Sequence, residues 1–216
     1  MKNKEERSFA NKIFSKLEKV YSGAKCVLKF SNSWELLVAV QLSAQCKDET
    51  VNKITEKLFV KYKTLESYAN ANLREFEEDI KSSGFFRNKA KNIISSAKIV
   101  LEKFGGKIPN SMEKILTLPG VARKTANVVL GNAFGIVEGI AVDTHVSRLS
   151  TRLGLTKSTS PEKQEKELME IFDKKNWFNL TYYFIEHGRK ICNAKKPKCN
   201  ECFLKNFCKF YNKEIL

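Results

Sequence analysis

Only 10 glycines and 4 prolines occur among the 216 residues, well below the roughly 12% that the two make up together in an average protein. So few breakers and tight turns exclude a β-sandwich and favour long helices. Long hydrophobic runs are missing as well. No stretch approaches the ~18 apolar residues that cross a bilayer, which excludes an integral membrane protein. No secretory signal or low-complexity linker is visible; the chain begins Met1-Lys2-Asn3-Lys4-Glu5-Glu6-Arg7, and the early glutamates argue against a transit peptide. The expected location is therefore cytoplasmic. Acidic residues are in deficit, 24 against 39 Lys and Arg, which leaves a net charge of +15 and an isoelectric point near 9.5. A field of that sign on a chain otherwise built to fold favours a polyanionic partner, although a lysine-rich proteome would give the same balance.

What is present reads as helix after helix, in one ordinary domain or two small ones. Phe9, Ile13, Leu17 and Val20 share one face of an N-terminal helix. Asn32 with Glu35 three residues on predicts a capping box ahead of buried Leu36, Leu37 and Val40. Asp48 is placed to cap a helix carrying Val51, Ile54 and Leu58. Ala90, Ile93, Ile94, Ala97, Leu101 and Phe104 keep the 3.6-residue period until Gly105-Gly106 stops it. Ser160-Pro161 supplies an N-cap and a first-turn proline. The main non-helical stretch is an extended piece near 136–142, and the fold class is all-α.

Cys192, Cys199, Cys202 and Cys208, spaced C-x6-C-x2-C-x5-C, offer four soft ligands within a short loop. Without a signal for export, disulfides are a poor default. Zinc commonly takes two C-x2-C pairs, and only one is present here; a 4Fe-4S cube needs four thiolates that an irregular loop can supply. Spacing favours the cube and leaves zinc open. Cys26 and Cys46, far upstream, are expected to be small buried hydrophobes.

Residues 111–135 read as a short helix burying Ile115 and Leu116, a turn Leu118-Pro119-Gly120-Val121-Ala122, and a second helix burying Ala126, Val129, Leu130 and Ala133. Backbone N–H groups at such a turn, with the helix dipole behind them, make a site for one DNA phosphate and carry no sequence information. Lys124 sits in the first turn of the second helix beside Arg123. It can be a solvated surface charge; alternatively the dipole, its cationic neighbour and partial burial favour the neutral amine of a nucleophile. Asp143 precedes a helix carrying Val146 and Leu149 and can be an ordinary N-cap. Ten helical residues rise about 15 Å and the extended return spans up to about 23 Å, so Asp143 can come back beside Lys124. An amine and a carboxylate together suit attack at a sugar C1′.

In combination, LPGVARKTANVVLGNAFG at 118–135, VDTH at 142–145, LSAQ at 42–45 and the four-cysteine tail resemble the endonuclease III branch of the helix-hairpin-helix DNA glycosylases, over about residues 20–210. The resemblance implies a bifunctional glycosylase and AP lyase of base excision repair. Such an enzyme flips a damaged base, an oxidised pyrimidine, from double-stranded DNA, displaces it with a lysine and cleaves the strand 3′ to the abasic site by β-elimination. It implies two helical lobes flanking a DNA-binding cleft. One is a six-helix barrel from 25–135 with the hairpin at about 112–131; the other, from 1–24 plus 136–216, carries a 4Fe-4S cluster in the loop 192–208. Lys124 would be the Schiff-base nucleophile, Asp143 the essential carboxylate, and Cys192, Cys199, Cys202 and Cys208 the cluster ligands. Gln45 would fill the gap left by the flipped nucleotide, and Phe85, in the 84–87 loop, would be an apolar wedge. Gly120 and Ala122 of the hairpin and Lys195, Lys196 and Lys198 of the first cluster loop would contact DNA. A monomer is implied, associated with the nucleoid if the cell is bacterial or archaeal. Ala122 stands where many members carry a second glycine, which would cost affinity if that position needed a positive φ.

Two rival functions remain. A monofunctional relative would lack the lysine and use a glutamate at the position of Ala39. A non-catalytic hairpin module with a structural metal would bind abasic DNA without a covalent intermediate.

Overall fold

The computed structural model describes residues 4–214; Met1 to Asn3 and the last two residues, assigned above to the cluster lobe, lie outside them. Twelve α-helices and no strands are found among the described residues: α1 Lys4–Tyr21, α2 Ser33–Leu42, α3 Asp48–Lys61, α4 Leu65–Ala69, α5 Leu73–Asp79, α6 Phe86–Phe104, α7 Met112–Ile115, α8 Arg123–Phe134, α9 Thr144–Leu153, α10 Pro161–Ile171, α11 Trp177–Lys190 and α12 Lys209–Glu214. The chain divides into two compact units, one discontinuous and formed by 1–26 with 137–216, the other formed by 27–136.

In the continuous unit α2 is the central helix. Leu36 to Leu42 are all buried, as expected of a helix apolar on every side, and α3, α6 and α8 pack against it. Asn32 caps it by accepting the Glu35 N–H at 2.9 Å. Glu35 reaches back one residue further than a capping box requires, to the Ser31 N–H at 2.6 Å. The long amphipathic α6 buries Ala90, Ile93, Ile94, Ala97 and Val100 and stops at left-handed Gly105. A bond from the Gly106 N–H to the Val100 carbonyl closes that end.

In the discontinuous unit α1 packs on α10 and α11, and α9 packs on α10, α11 and α12. The core gathers Ile13, Leu17, Val146, Leu149, Leu168, Phe172, Leu180 and Phe184.

Four local expectations are corrected. Val20 is 54% exposed, and Tyr21 takes the buried position instead; the buried face of α1 is centred on Ala10, Phe14 and Leu17, and Tyr21 falls on it while Val20 falls at its margin. Asp48 is the first residue of α3 rather than its cap, Lys47 holding the cap position without a side-chain bond. Ser160 does occupy an N-cap position, but its hydroxyl is turned to the Glu162 carboxylate at 2.7 Å and accepts no helix N–H. Cys26 and Cys46 are half-buried rather than interior.

Candidate functional site

The hairpin is built from α7, the turn 116–122 and α8. Met112 and Ile115 are buried, whereas Leu116, expected inside, is 39% exposed because it terminates α7 and turns out with the chain. Gly120 has φ +74°, and a Cβ there would lie 2.7 Å from Asn92 Nδ2 and 3.1 Å from Asn92 Cβ. Only glycine fits. Ala122, by contrast, is extended at φ −91° and ψ 170°, so alanine in place of the second glycine costs nothing in backbone strain. The Pro119 carbonyl accepts two side-chain donors, Gln41 Nε2 from α2 at 2.9 Å and Ser96 Oγ from α6 at 3.1 Å. The turn is thereby fixed to the two central helices of its unit. The N–H groups of Gly120, Ala122 and Lys124 donate to no other group among the described residues, and no side chain caps α8. Exposed, uncommitted donors at the positive end of a 12-residue helix have the chemistry to receive an anion.

Lys124 lies in the first turn of α8 and is exposed. The burial expected to help neutralise it is therefore absent: α8 turns Ala126, Val129 and Leu130 inward, and position 124 is on the other face.

Gln45 and Phe85 share a backbone peculiarity. They are the non-glycine residues with positive φ among the described residues, at +53° and +49°, a conformation that costs an L-residue about 1–2 kcal/mol. Both side chains are exposed, Phe85 to 67%. Strained backbone of this kind clusters at ligand-contacting positions, and here it holds a large apolar ring outward. Gly84, at φ +68° and ψ 153°, feeds Phe85 into α6.

In the discontinuous unit Asp143 caps α9. Its Oδ1 accepts the N–H groups of His145 and Val146, both at 2.8 Å, and its Oδ2 makes no hydrogen bond among the described residues. One oxygen of this half-buried carboxylate is thus committed to the cap, and the other is left available to a further donor.

The four C-terminal cysteines line one pocket with Ile191, Pro197, Phe210 and Tyr211, and with the cations Arg152, Lys198 and Lys205. None of the cysteines is in a disulfide. Burial, with the neighbouring sulfurs acting in the same direction, pushes the Cys202 thiol up to about 11. Four thiolates there would need positive charge among them, as a cationic metal core provides. No three His, Cys, Asp or Glu side chains among the described residues converge tightly enough for a single ion; the donor set, all sulfur around one pocket, fits a cluster. Arg152 shapes the loop, donating to the carbonyls of Asn193 at 2.8 Å and Ala194 at 2.9 Å and to Cys192 Sγ at 3.3 Å. Arg148 adds a bond to the Cys192 carbonyl at 3.0 Å. Lys195, Lys196 and Lys198 stand exposed on that loop. His187, whose imidazole burial pulls down to about 4, sits between the Tyr21 hydroxyl at 3.1 Å and Cys202 Sγ at 3.3 Å.

Sequence reasoning missed Gln41, Asn92, Ser96, Arg148 and Arg152. Each acts on a backbone carbonyl or a turn, and such partners leave no pattern of their own.

A family model described as HhH-GPD superfamily base excision DNA repair protein matches residues 38–174. Endonuclease III from Synechocystis sp. is 51% identical over 208 residues, 96% of this chain and 94% of that one. Endonuclease III from Bacillus subtilis is 47% identical over 195 residues, 90% and 89% of the two chains. Among solved structures, a trapped endonuclease III–DNA covalent intermediate superposes with a TM-score of 0.93 at 40% identity, covering both chains fully. A thermostable thymine-DNA glycosylase shares the fold, with a TM-score of 0.82 at 24% identity over 95% of this chain and 98% of its own.

Proposed function

Because the chain belongs to the HhH-GPD superfamily of base excision DNA repair proteins, within its endonuclease III family, we propose the following division of labour for a DNA glycosylase and AP lyase that acts on oxidised pyrimidines. The hairpin donates its uncommitted N–H groups to one phosphate, which positions the duplex without reading its sequence. The Lys124 amine, in its unprotonated form, attacks C1′ of the flipped nucleotide. The C1′–N bond breaks, the base leaves with the bonding pair and a proton, and opening of the sugar ring gives a Schiff base between Lys124 and C1′. Loss of a C2′ proton then expels the 3′ phosphate, cleaving the strand. Asp143, with Oδ2 uncommitted, takes up a proton or balances the positive charge on the sugar.

Gln45 fills the vacated space and Phe85 wedges beside it, which lowers the cost of holding the base outside the stack. Cys192, Cys199, Cys202 and Cys208 would hold a 4Fe-4S cluster, whose contribution is to fix the loop carrying Lys195, Lys196 and Lys198 for phosphate contact. In this scheme the discontinuous unit is the cluster domain and the continuous unit the hairpin domain. The enzyme works as a monomer in the cytoplasm, associated with the nucleoid if the cell is bacterial or archaeal. No helix among the described residues is long and apolar enough to cross a membrane.

The observation that carries the scheme is an exposed lysine in the first turn of a helix whose N-terminal donors are uncommitted. Borohydride trapping on duplexes with different damaged bases tests it. Wild type should give a covalent adduct, and Lys124→Ala should give none while still binding DNA. Trapping of Lys124→Ala at wild-type yield would assign the nucleophile to another amine.

A further inference from the structure

Lys89 is a lysine where a hydrophobic residue would be routine. It lies on the inner face of α6 between Phe86 and Ile93 and is only 6% exposed. Its Nζ donates to two backbone carbonyls, Leu42 O at 2.8 Å and Ser83 O at 2.8 Å. Leu42 is the last residue of α2, three before Gln45, and Ser83 precedes the Gly84-Phe85 turn. The Lys89 N–H, one helical turn after Phe85, donates to the Phe85 carbonyl at 3.2 Å. The same residue therefore brackets the Phe85 turn from both sides and ties it to the end of the helix that delivers Gln45. Local bonds hold each loop weakly: Ala44 N–H to Gln41 O at 3.4 Å and Cys46 N–H to Ser43 O at 3.1 Å on one side, Gly84 N–H to Lys81 O at 3.3 Å on the other.

We propose that Lys89 is a positioning residue that couples the two loops, so that Gln45 and Phe85 are held at a fixed separation and enter the duplex as one rigid unit. A buried ammonium suits this task. It carries three donors and can serve carbonyls on two separate segments at once, and charge-assisted bonds in a dry site are strong. Burial pulls the Lys89 amine below the usual lysine range, with nearby Cys46 acting in the opposite direction. A cation kept there against desolvation needs both carbonyls, so neither loop can drift without leaving it under-satisfied. Gln45 and Phe85, the non-glycine residues in left-handed conformation among the described residues and one on each loop, are the strain that such a tie would have to hold.

The inference rests on the wedge roles of Gln45 and Phe85, and its test separates the two. Lys89→Met, Gln45→Ala with Phe85→Ala, and all three together are compared on two duplexes. One carries thymine glycol opposite adenine; the other carries a preformed abasic site opposite adenine, where no base needs extracting. Lys89→Met should lower base excision relative to abasic-strand cleavage by about tenfold or more, because misplacement of positioning groups by an ångström costs that much. Added to the double variant it should change this ratio by less than about twofold, since it acts through the same side chains. If Lys89→Met slows both substrates equally, or multiplies fully with the double variant, the lysine is a general structural residue and the proposal fails. If the double variant itself leaves the ratio unchanged, the wedge roles fail first. Amide exchange in the wild-type chain provides a second test, needing no variant. Cys46 on one loop and Gly84 on the other should open with a common free energy, and independent opening would overturn the coupling even if Lys89→Met did not fold.

Discussion

Gly120→Ala probes the hairpin at its most constrained atom. The new methyl meets two independent obstacles. The first is conformational: φ +74° costs alanine about 1–2 kcal/mol relative to glycine. The second is steric. A Cβ would stand 2.7 Å from Asn92 Nδ2, which rotation could relieve, but also 3.1 Å from Asn92 Cβ, which is fixed to the backbone of α6. The turn must therefore move away from α6, and this weakens the bonds from Gln41 and Ser96 to the Pro119 carbonyl, each worth about 1 kcal/mol. The sum is a loss of about 2–4 kcal/mol. Ala122→Gly is the matched control two residues on, in extended backbone. It should stay within about 0.5 kcal/mol of wild type, because better N-capping by glycine is offset by its greater freedom in the unfolded chain. Urea unfolding followed by circular dichroism reads both, a loss of that size moving the midpoint by about 1 M or more. Affinity for a duplex with a tetrahydrofuran abasic analogue should fall for Gly120→Ala alone. Equal stability of the two variants would refute the assignment of the constraint to position 120.

Asp143→Asn should unfold at the wild-type midpoint, since an Asn oxygen caps about as well as Asp, yet lose glycosylase turnover; Asp143→Ala should lose about 1 kcal/mol as well. A fully active Asn variant in single-turnover assays would return Asp143 to a purely structural role. Freshly isolated protein should contain about four irons per chain and absorb broadly near roughly 400 nm, and Cys199→Ser should abolish both while Cys46→Ser changes neither. Stoichiometric zinc in never-denatured protein would overturn the cluster.

Periodicity exposed most of the helices, because an apolar stripe at 3.6 residues depends only on the helix's own side chains. Its errors fall at the ends of elements. Val20 and Leu116 are apolar residues in final turns, where the stripe no longer dictates direction; Asp48 shows that a good capping residue still needs the chain to bend at that residue, and Ser160 that its hydroxyl can be taken by a neighbouring carboxylate instead. The candidate site at Lys124, Asp143 and the four cysteines could be put forward from the sequence because these residues stand in compact motifs, LPGVARK, VDTH and C-x6-C-x2-C-x5-C. The positioning shell was not. Gln41 reaches an acceptor 78 residues away and Lys89 one 47 residues away, and in both cases the acceptor is a carbonyl that every residue possesses. Lys89 did leave a trace, as a charge four residues before Ile93 and next to Ala90 on a buried stripe.

The interrupted course of the chain through the discontinuous unit bears on synthesis at the ribosome. Segment 27–136 is contiguous and has all its packing partners once its last residue has emerged. Helix α1 does not: its Tyr21 waits for His187, 166 residues later. At about 5–20 residues per second, roughly 8–33 s pass between translation of the two. During that interval Ile13, Phe14 and Leu17 have no core to enter. The nascent protein thus carries a finished hairpin unit while its amphipathic first helix is still orphaned, and the helix is docked only when the C-terminal segment has been made.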